Sequence, residues 1–299
     1  GKENQYYLSG FTGTYGQVLI STDAQYVIAD GRYFEQLKIQ SPNFSVVDNK
    51  MQMVSAIRKL NLIKGYNHLG IEGDEMNVIE YLELAAGVDG AQLVTTQNWI
   101  ESQRMIKNSN EKMKIQEAGA IADAVFEHIL TYIKPGMTEK QVANEINEYG
   151  LTHGADASAF ETIVASGKRS ALPHGHASNK VIENNELIIL DFGFEKDHYF
   201  SDITRTIALG NVEGELRHIY QVVLDAQKAA IQACHTGVMV KKIDEVARQY
   251  ITNRGFGNRF LHGTGHGIGL AVHEYPLLNR DSQEHLQNHM IFTIEPGIY

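Results

Sequence analysis

Along the first hundred residues the spacing of apolar positions switches between the two-residue period of strands and the longer period of helices. GQVLIST (16–22) and AQYVIAD (24–30) read as strands, and a helix is expected from Tyr33 to Gln40. FSVVD (44–48) is a third strand, followed by MQMVSAIRKL (51–60) as a helix. Glu75 to Ala86 places apolar residues at helical spacing, and AQLVTTQ (91–97) reads as a strand. Asp30-Gly31-Arg32 is expected to form a turn, and Tyr6, Tyr7 and Phe11 to pack rather than bind. Residues 1–100 should therefore form a small α/β domain with no catalytic group of its own.

A helix from Trp99 to Lys107 leads into a second domain, 101–299. Asn108 and Glu111 have the spacing of a capping box, which starts a long helix over Ser109 to Ile133 that Pro135-Gly136 stops. Thr138 and Gln141 repeat the pattern for a helix expected to end at Gly150. FETIVASG (160–167) then reads as a strand and LPHGHASNK (172–180) as a loop. In ELIILDFG (186–193), four apolar residues run into Asp191, the pattern of a buried strand delivering one acid to a cleft. Asp202 follows in a second β-prone run, FSDITRT. Helix returns from about Glu213 to His235 and from Met239 to Asn253, and IFTIEPG closes the chain with a strand carrying Glu295.

KPGMTEKQVANEINEYG (134–150) and HTGVMVKKIDEVARQYITNRG (235–255) share a glycine, an apolar residue, a gap and a helix. Gly136 and Gly237 are 101 residues apart, as are Val142 and Ile243. Each helix precedes a His/Gly-rich loop and an apolar strand with an acid. This weak repeat implies two similar halves sharing one central site.

Composition narrows the function. The 299 residues are 43% hydrophobic, enough for a full core, and the formal net charge is −10. No basic run exists to neutralise phosphates, so nucleic acid is not an expected partner. A lone cysteine, Cys234, rules out an intrachain disulfide scaffold and fits a cytoplasmic protein. No signal peptide and no run of 18 apolar residues is present, so membrane insertion is not expected. Both ends read as cut mid-element.

Asp191, Asp202 and Glu295 offer oxygens and His266 a nitrogen, a donor set suited to divalent ions that activate water. Taken singly, Asp191 could equally be a turn acid, Asp202 a cap for Thr204, and Glu295 a residue before a Pro turn. The tract LHGTGHGIGLAVHE is harder to read as plain structure: four glycines surround His262 and His266, with His273 just beyond. His174 lies in another Gly-containing loop, whereas His128, His153, His198, His218, His285 and His289 read as surface or packing residues. Competing chemistries lack their parts. There is no HExxH and no GxSxG, Cys234 lacks a basic partner in register, and GTGHGIG has no preceding strand or ribose-binding acid for a dinucleotide.

LPHG (172–175), LDFG (190–193), SDITRT (201–206), HGTGHGIG (262–269), VHEYP (272–276) and TIEPGIY (293–299) stand in one order and spacing. Together they resemble the motifs of the pita-bread-fold metallopeptidases, in the aminopeptidase P and prolidase (Xaa-Pro dipeptidase) branch. YYLSGFTG (6–13) and IADGRYFEQ (28–36) resemble that branch's small N-terminal domain. The resemblance implies an α/β (α+β) fold: an N-terminal creatinase-like domain, then a pita-bread domain with pseudo-twofold symmetry. It implies two divalent ions, manganese first with cobalt or zinc as alternatives, and hydrolysis of Xaa-Pro bonds in short proline-containing peptides. Asp191 and Asp202 would bind one ion, Asp202 would bridge, and His266 and Glu295 would complete the second. Glu295 would also relay a proton, His174 and His273 would steady substrate and oxyanion, and His262 would line the proline pocket. A fifth ligand, a bridging glutamate, is expected beyond residue 299. Tyr199-Phe200 departs from the Gly-Tyr that often precedes the second aspartate motif. The family is commonly dimeric, so a homodimer is expected. Dipeptidase and aminopeptidase activity stay unseparated, and a metal-free creatinase-like hydrolase or a non-catalytic peptide-binding module on the same scaffold are the competing readings.

Overall fold

In the computed structural model, β2 (Gln25–Ala29) is the middle strand of a three-stranded sheet, antiparallel to β1 (Gln17–Ile20) and parallel to β3 (Ser45–Asp48). The structure describes every residue except Asn49, Met51, Asp89 and Glu213, and these fall into two compact units, Gly1–Gln103 and Arg104–Tyr299. Strand alternation gives β2 two buried faces. Val27 and Ala29 pack with Phe11 and Leu37, whereas Ile28 packs with Val47, Ala56, Ile57, Ile71 and Leu84. The helices around it are α1 (Lys2–Ser9), α2 (Phe34–Gln40), α3 (Met53–Lys59) and α4 (Val78–Gly87). The start expected for α3 at Met51 lies outside the described residues. Asp30 caps a short 3₁₀ turn over Gly31–Tyr33, where a turn was expected. α1 and β4 (His68–Glu72) are additions to the sequence reading. β4 pairs in parallel with β5 (Gln92–Thr96), so no hairpin turn betrays it. α5 (Trp99–Arg104) is shorter than the helix expected to Lys107, whose N–H turns away to the carbonyl of His289 at 3.0 Å.

The second unit opens with α6 (Ser109–Tyr132) and α7 (Glu139–Thr152), each started by the capping box that its sequence announces. α7 runs past Gly150, where it was expected to end. A Cβ on Gly150 would meet the Phe194 ring at 2.0 Å, so this glycine serves close packing and not termination. β6 (Ala157–Ser158), β9 (Phe194–Lys196) and β10 (Tyr199–Phe200) form one small sheet. β8 (Glu186–Phe192) is the centre of another, antiparallel to β7 (Ile163–Ser166) and β11 (Ile203–Leu209). α8 (Glu215–Ala233) and α9 (Val240–Thr252) follow, then β12 (Gly265–Gly267) paired with β13 (Glu274–Leu278). The start expected for α8 at Glu213 lies outside the described residues. Among the described residues no helix is long and apolar enough to cross a membrane.

The repeat is structural. Gly136 and Gly237 both have positive φ, 94° and 88°, which a residue without Cβ adopts without strain. Gly136 N–H donates to the Ile182 carbonyl at 2.9 Å, and Gly237 N–H to that of Leu286 at 2.8 Å. Ile182 and Leu286 donate back to Met137 and Val238, each at 2.8 Å. Val142 and Ile243 are fully buried in separate cores, one under α6, α7 and β8, the other under α8 and α9. Two halves with matching wiring thus build the second unit, the pseudo-twofold arrangement expected from the motifs.

The strand expected at IFTIEPG is incomplete. Thr293 N–H reaches the His266 carbonyl at 2.8 Å, and Glu295 N–H reaches that of Thr264 at 2.7 Å. The His266 N–H, however, goes to the Thr293 hydroxyl at 3.1 Å instead of a carbonyl, and this substitution breaks the ladder. Only the bridge between Gly267 and Phe292 remains regular.

Candidate metal centre

β8 and β11 hold the first two acids. Asp191 faces Thr204 in the antiparallel register and accepts from its hydroxyl, while Asp202 sits immediately before β11. β12 carries His266 and the broken strand beside it carries Glu295. The four residues come from both halves, and three of them meet. Donor atoms of Asp202, His266 and Glu295 all lie within 4.8 Å of one another, enough to hold one divalent ion. Nε2 of His266 is 3.3 Å from Oδ2 of Asp202 and 3.1 Å from Oε1 of Glu295.

The local hydrogen bonds prepare these donors. Nδ1 of His266 lies 3.0 Å from the Gly267 carbonyl, which fixes the N–H there and turns Nε2 toward the carboxylates. The Thr293 hydroxyl donates to Oε1 of Glu295 at 2.6 Å. The glycines serve close approach. A Cβ on Gly265 would stand 2.0 Å from the Thr293 carbonyl oxygen, and one on Gly267 would stand 2.2 Å from that of Tyr275. None of the four glycines in the tract has positive φ.

Charge is concentrated here. Burial, then Asp202, push the Asp191 carboxyl up to about 7, with Glu295 adding to the rise. Burial pulls His266 down, but hydrogen bonds to Asp202 and Glu295 win and raise it to about 10. Burial works against ionisation of Glu295 too, and His266 and Thr293 overcome it, holding the carboxyl below its ordinary value. A cluster that raises an imidazole so far demands positive charge. Carboxylates with one correctly turned imidazole fit a divalent ion of the manganese-to-zinc series. Asp191 borders the trio and feels both of its acids without being part of it.

His273 and His262 lie beside the cluster. The His273 ring lies 4.1 Å from that of His266 and is exposed. Burial, then His266, lower its proton affinity, and His174 contributes in the same direction. His262 points Nδ1 at the Gly263 carbonyl, 2.7 Å away, and Nε2 at the Tyr299 hydroxyl, 3.3 Å away. Tyr299 was not singled out by the sequence. Burial and then the charges of Glu295 and Asp191 push its phenol up to about 12. Thr293 and Thr264 were likewise missed, though the T-x-E and G-T-G-H spacing placed both beside donors.

The chain is similar to known proteins over both of its units. Residues 113–299 match the model for metallopeptidase family M24, and residues 1–106 match that for the creatinase/prolidase N-terminal domain. An uncharacterized peptidase of Bacillus subtilis is 43% identical over 296 residues, 99% of this chain and 84% of its own. The Xaa-Pro dipeptidase of Pyrococcus furiosus is 36% identical over 298 residues, again 99% and 84%. Among solved structures, an Xaa-Pro dipeptidase from Bacillus anthracis is 41% identical with a TM-score of 0.96, covering 100% of this chain and 84% of its own. An X-Pro aminopeptidase from Thermotoga maritima is 35% identical with a TM-score of 0.91, covering 100% and 85%.

Proposed function

The chain belongs to metallopeptidase family M24, with a creatinase/prolidase N-terminal domain, and on that premise we propose that it hydrolyses N-terminal Xaa-Pro bonds in dipeptides or short peptides. The observation that carries the reading is the meeting of Asp202, His266 and Glu295, donors from two halves of one unit. We further propose Asp191 as a ligand, so that Asp191, Asp202, His266 and Glu295 would hold two divalent ions, manganese first. When bound, such ions would polarise the scissile carbonyl and lower the pKa of an attacking water.

The chain's own residues supply the rest. His273 is held below the ordinary histidine range, so near neutrality its ring is uncharged and donates through one N–H. That donor and His174 are suited to steady the carbonyl oxygen as charge develops on it. Glu295, held below its ordinary value and bonded by the Thr293 hydroxyl, would accept a proton from the attacking water and pass it to the leaving nitrogen. His262 would border the proline ring. In this reading residues 101–299 carry the chemistry, residues 1–100 form the accessory domain, and the enzyme works as a cytoplasmic homodimer.

Proline after the scissile bond has no N–H and a fixed φ, so a pocket with no acceptor for that N–H loses nothing on it. Ala-Pro, Ala-Pro-Ala and Ala-Ala compared on one metal-loaded preparation test the assignment. We expect kcat/KM for proline substrates to exceed that for Ala-Ala by at least about tenfold. Cleavage of the dipeptide alone makes a prolidase, and cleavage of the tripeptide makes an aminopeptidase P. Equal rates on Ala-Ala would discard the proline preference.

A further inference from the structure

Among the described residues, two carboxylates outside the donor cluster are fully buried, Glu139 on α7 and Asp244 on α9. Their wiring is the same. Oε1 of Glu139 accepts the backbone N–H of Ser166 at 2.8 Å and its hydroxyl at 2.9 Å. Oδ1 of Asp244 accepts the backbone N–H of Thr264 at 3.1 Å and its hydroxyl at 2.9 Å. The other oxygen of each takes an arginine Nε, Arg169 at 3.0 Å and Arg248 at 2.8 Å. Each arginine then ends on a histidine carbonyl: Arg169 Nη2 on His176 at 2.6 Å, and Arg248 Nη2 on His262 at 2.7 Å.

Under the 101-residue offset Glu139 corresponds to Val240, so Asp244 sits one helical turn further along. The two halves reach the same arrangement from different helix positions. A buried, paired carboxylate is often no more stabilising than a packed apolar side chain, so stability alone does not account for two such constructions. They differ in what they hold. Oε2 of Glu139 also accepts the Ser178 N–H at 3.1 Å and its hydroxyl at 2.6 Å, closing both ends of the 166–178 loop that carries His174. Asp244 holds Thr264, whose carbonyl receives the Glu295 N–H at 2.7 Å and which lies two residues before His266.

We propose that Asp244 and Arg248 are positioning residues for the metal centre, acting through Thr264 on the backbones that present His266 and Glu295. Glu139 and Arg169 are the counterpart in the other half, serving a loop with no metal donor. The proposal rests on the donor set of the proposed function and not on the peptide substrate.

The matched pair supplies its own control. Wild type, Asp244→Asn and Glu139→Gln, as the full chain and checked for folding by circular dichroism, are stripped with chelator and titrated with Mn²⁺ by calorimetry. Asp244→Asn is expected to weaken Mn²⁺ binding by about 10–100-fold, the range for partners that orient metal ligands. Glu139→Gln is expected to leave Mn²⁺ affinity unchanged although it breaks equivalent buried bonds. Wild-type affinity in Asp244→Asn, or equal weakening in both variants, overturns the proposal. Should Asp244→Asn fail to fold, Thr264→Val removes only the hydroxyl and is expected to weaken binding while Glu139→Gln does not; unchanged affinity again overturns it. Loss of the Xaa-Pro assignment would show only in the peptide assay and would leave this comparison standing.

Discussion

Oε1 of Glu295 lies 3.1 Å from Nε2 of His266, the ring nitrogen turned toward the carboxylates by the bond of Nδ1 to the Gly267 carbonyl. A residue near the end of the chain and a residue of the glycine tract thus present donors to one point, and Oδ2 of Asp202 lies 3.3 Å from the same His266 nitrogen. Removing Asp202 leaves positive charge in the cluster insufficiently neutralised. Asp202→Ala is expected to lose at least one metal equivalent and to lower kcat roughly a thousandfold, the scale of a principal electrostatic group. Metal analysis with steady-state kinetics checks this, and full metal content with near-normal kcat would return Asp202 to the role of a turn residue.

His153 is the matching negative control. Its ring stacks on Tyr149 at 3.7 Å and its Nδ1 lies 2.7 Å from the Tyr149 carbonyl at the end of α7. His153→Ala should cost no more than about 1 kcal/mol of stability and leave kcat/KM unchanged. A substantial loss of activity at wild-type stability would mean that the choice of histidines is wrong.

Gly265→Ala probes the close approach of β12 to the Glu295 segment. The added Cβ would meet the Thr293 carbonyl oxygen at 2.0 Å, so one backbone must yield. The expected result is a loss of about 1–3 kcal/mol of stability, as for overpacked cores, with weakened Mn²⁺ binding. Unaltered stability and affinity would show that the two segments can separate freely.

Part of the candidate site was legible because donors to a divalent ion come from few residue types, here Asp, Glu and His, set in distinctive surroundings. The four-glycine tract and the strand-end acids stand out for that reason, and the capping boxes at Asn108 and Thr138 announce their helices by chemistry local to four residues. The supporting bonds were not legible. Asp244 and Arg248, four apart on a helix, carry no sequence signal that sets them off from any other such pair, and it is the fold that buries Asp244 fully against Thr264. Gly150 looks like a helix stop until Phe194, 44 residues later, is found against it. The break opposite His266 depends on a side-chain hydroxyl replacing a backbone acceptor, which strand periodicity does not encode.

Glu139 should govern part of the acid limb of stability. Burial disfavours its charge, but bonds from Ser178 and Ser166 prevail, so its carboxyl titrates below the ordinary range. A depressed carboxyl contributes stability in full above its unfolded value of about 4.3 and loses it as pH falls through the folded value. Urea unfolding should find Glu139→Gln weaker than wild type by about 1.5–3 kcal/mol at pH 7, the scale of hydrogen bonds to a charged group. That gap should narrow as the pH drops below the unfolded value. A gap that stays constant into acid would exclude the carboxylate charge as its source.

Metal-dependent hydrolysis before proline is tested by reconstitution. Protein dialysed against chelator, shown by metal analysis to carry none, is assayed on Ala-Pro and Ala-Pro-Ala before and after addition of Mn²⁺, Co²⁺ or Zn²⁺. The stripped protein is expected to show no turnover and to recover it with at least one of these ions, manganese foremost. Undiminished turnover in verified metal-free protein would contradict metal dependence.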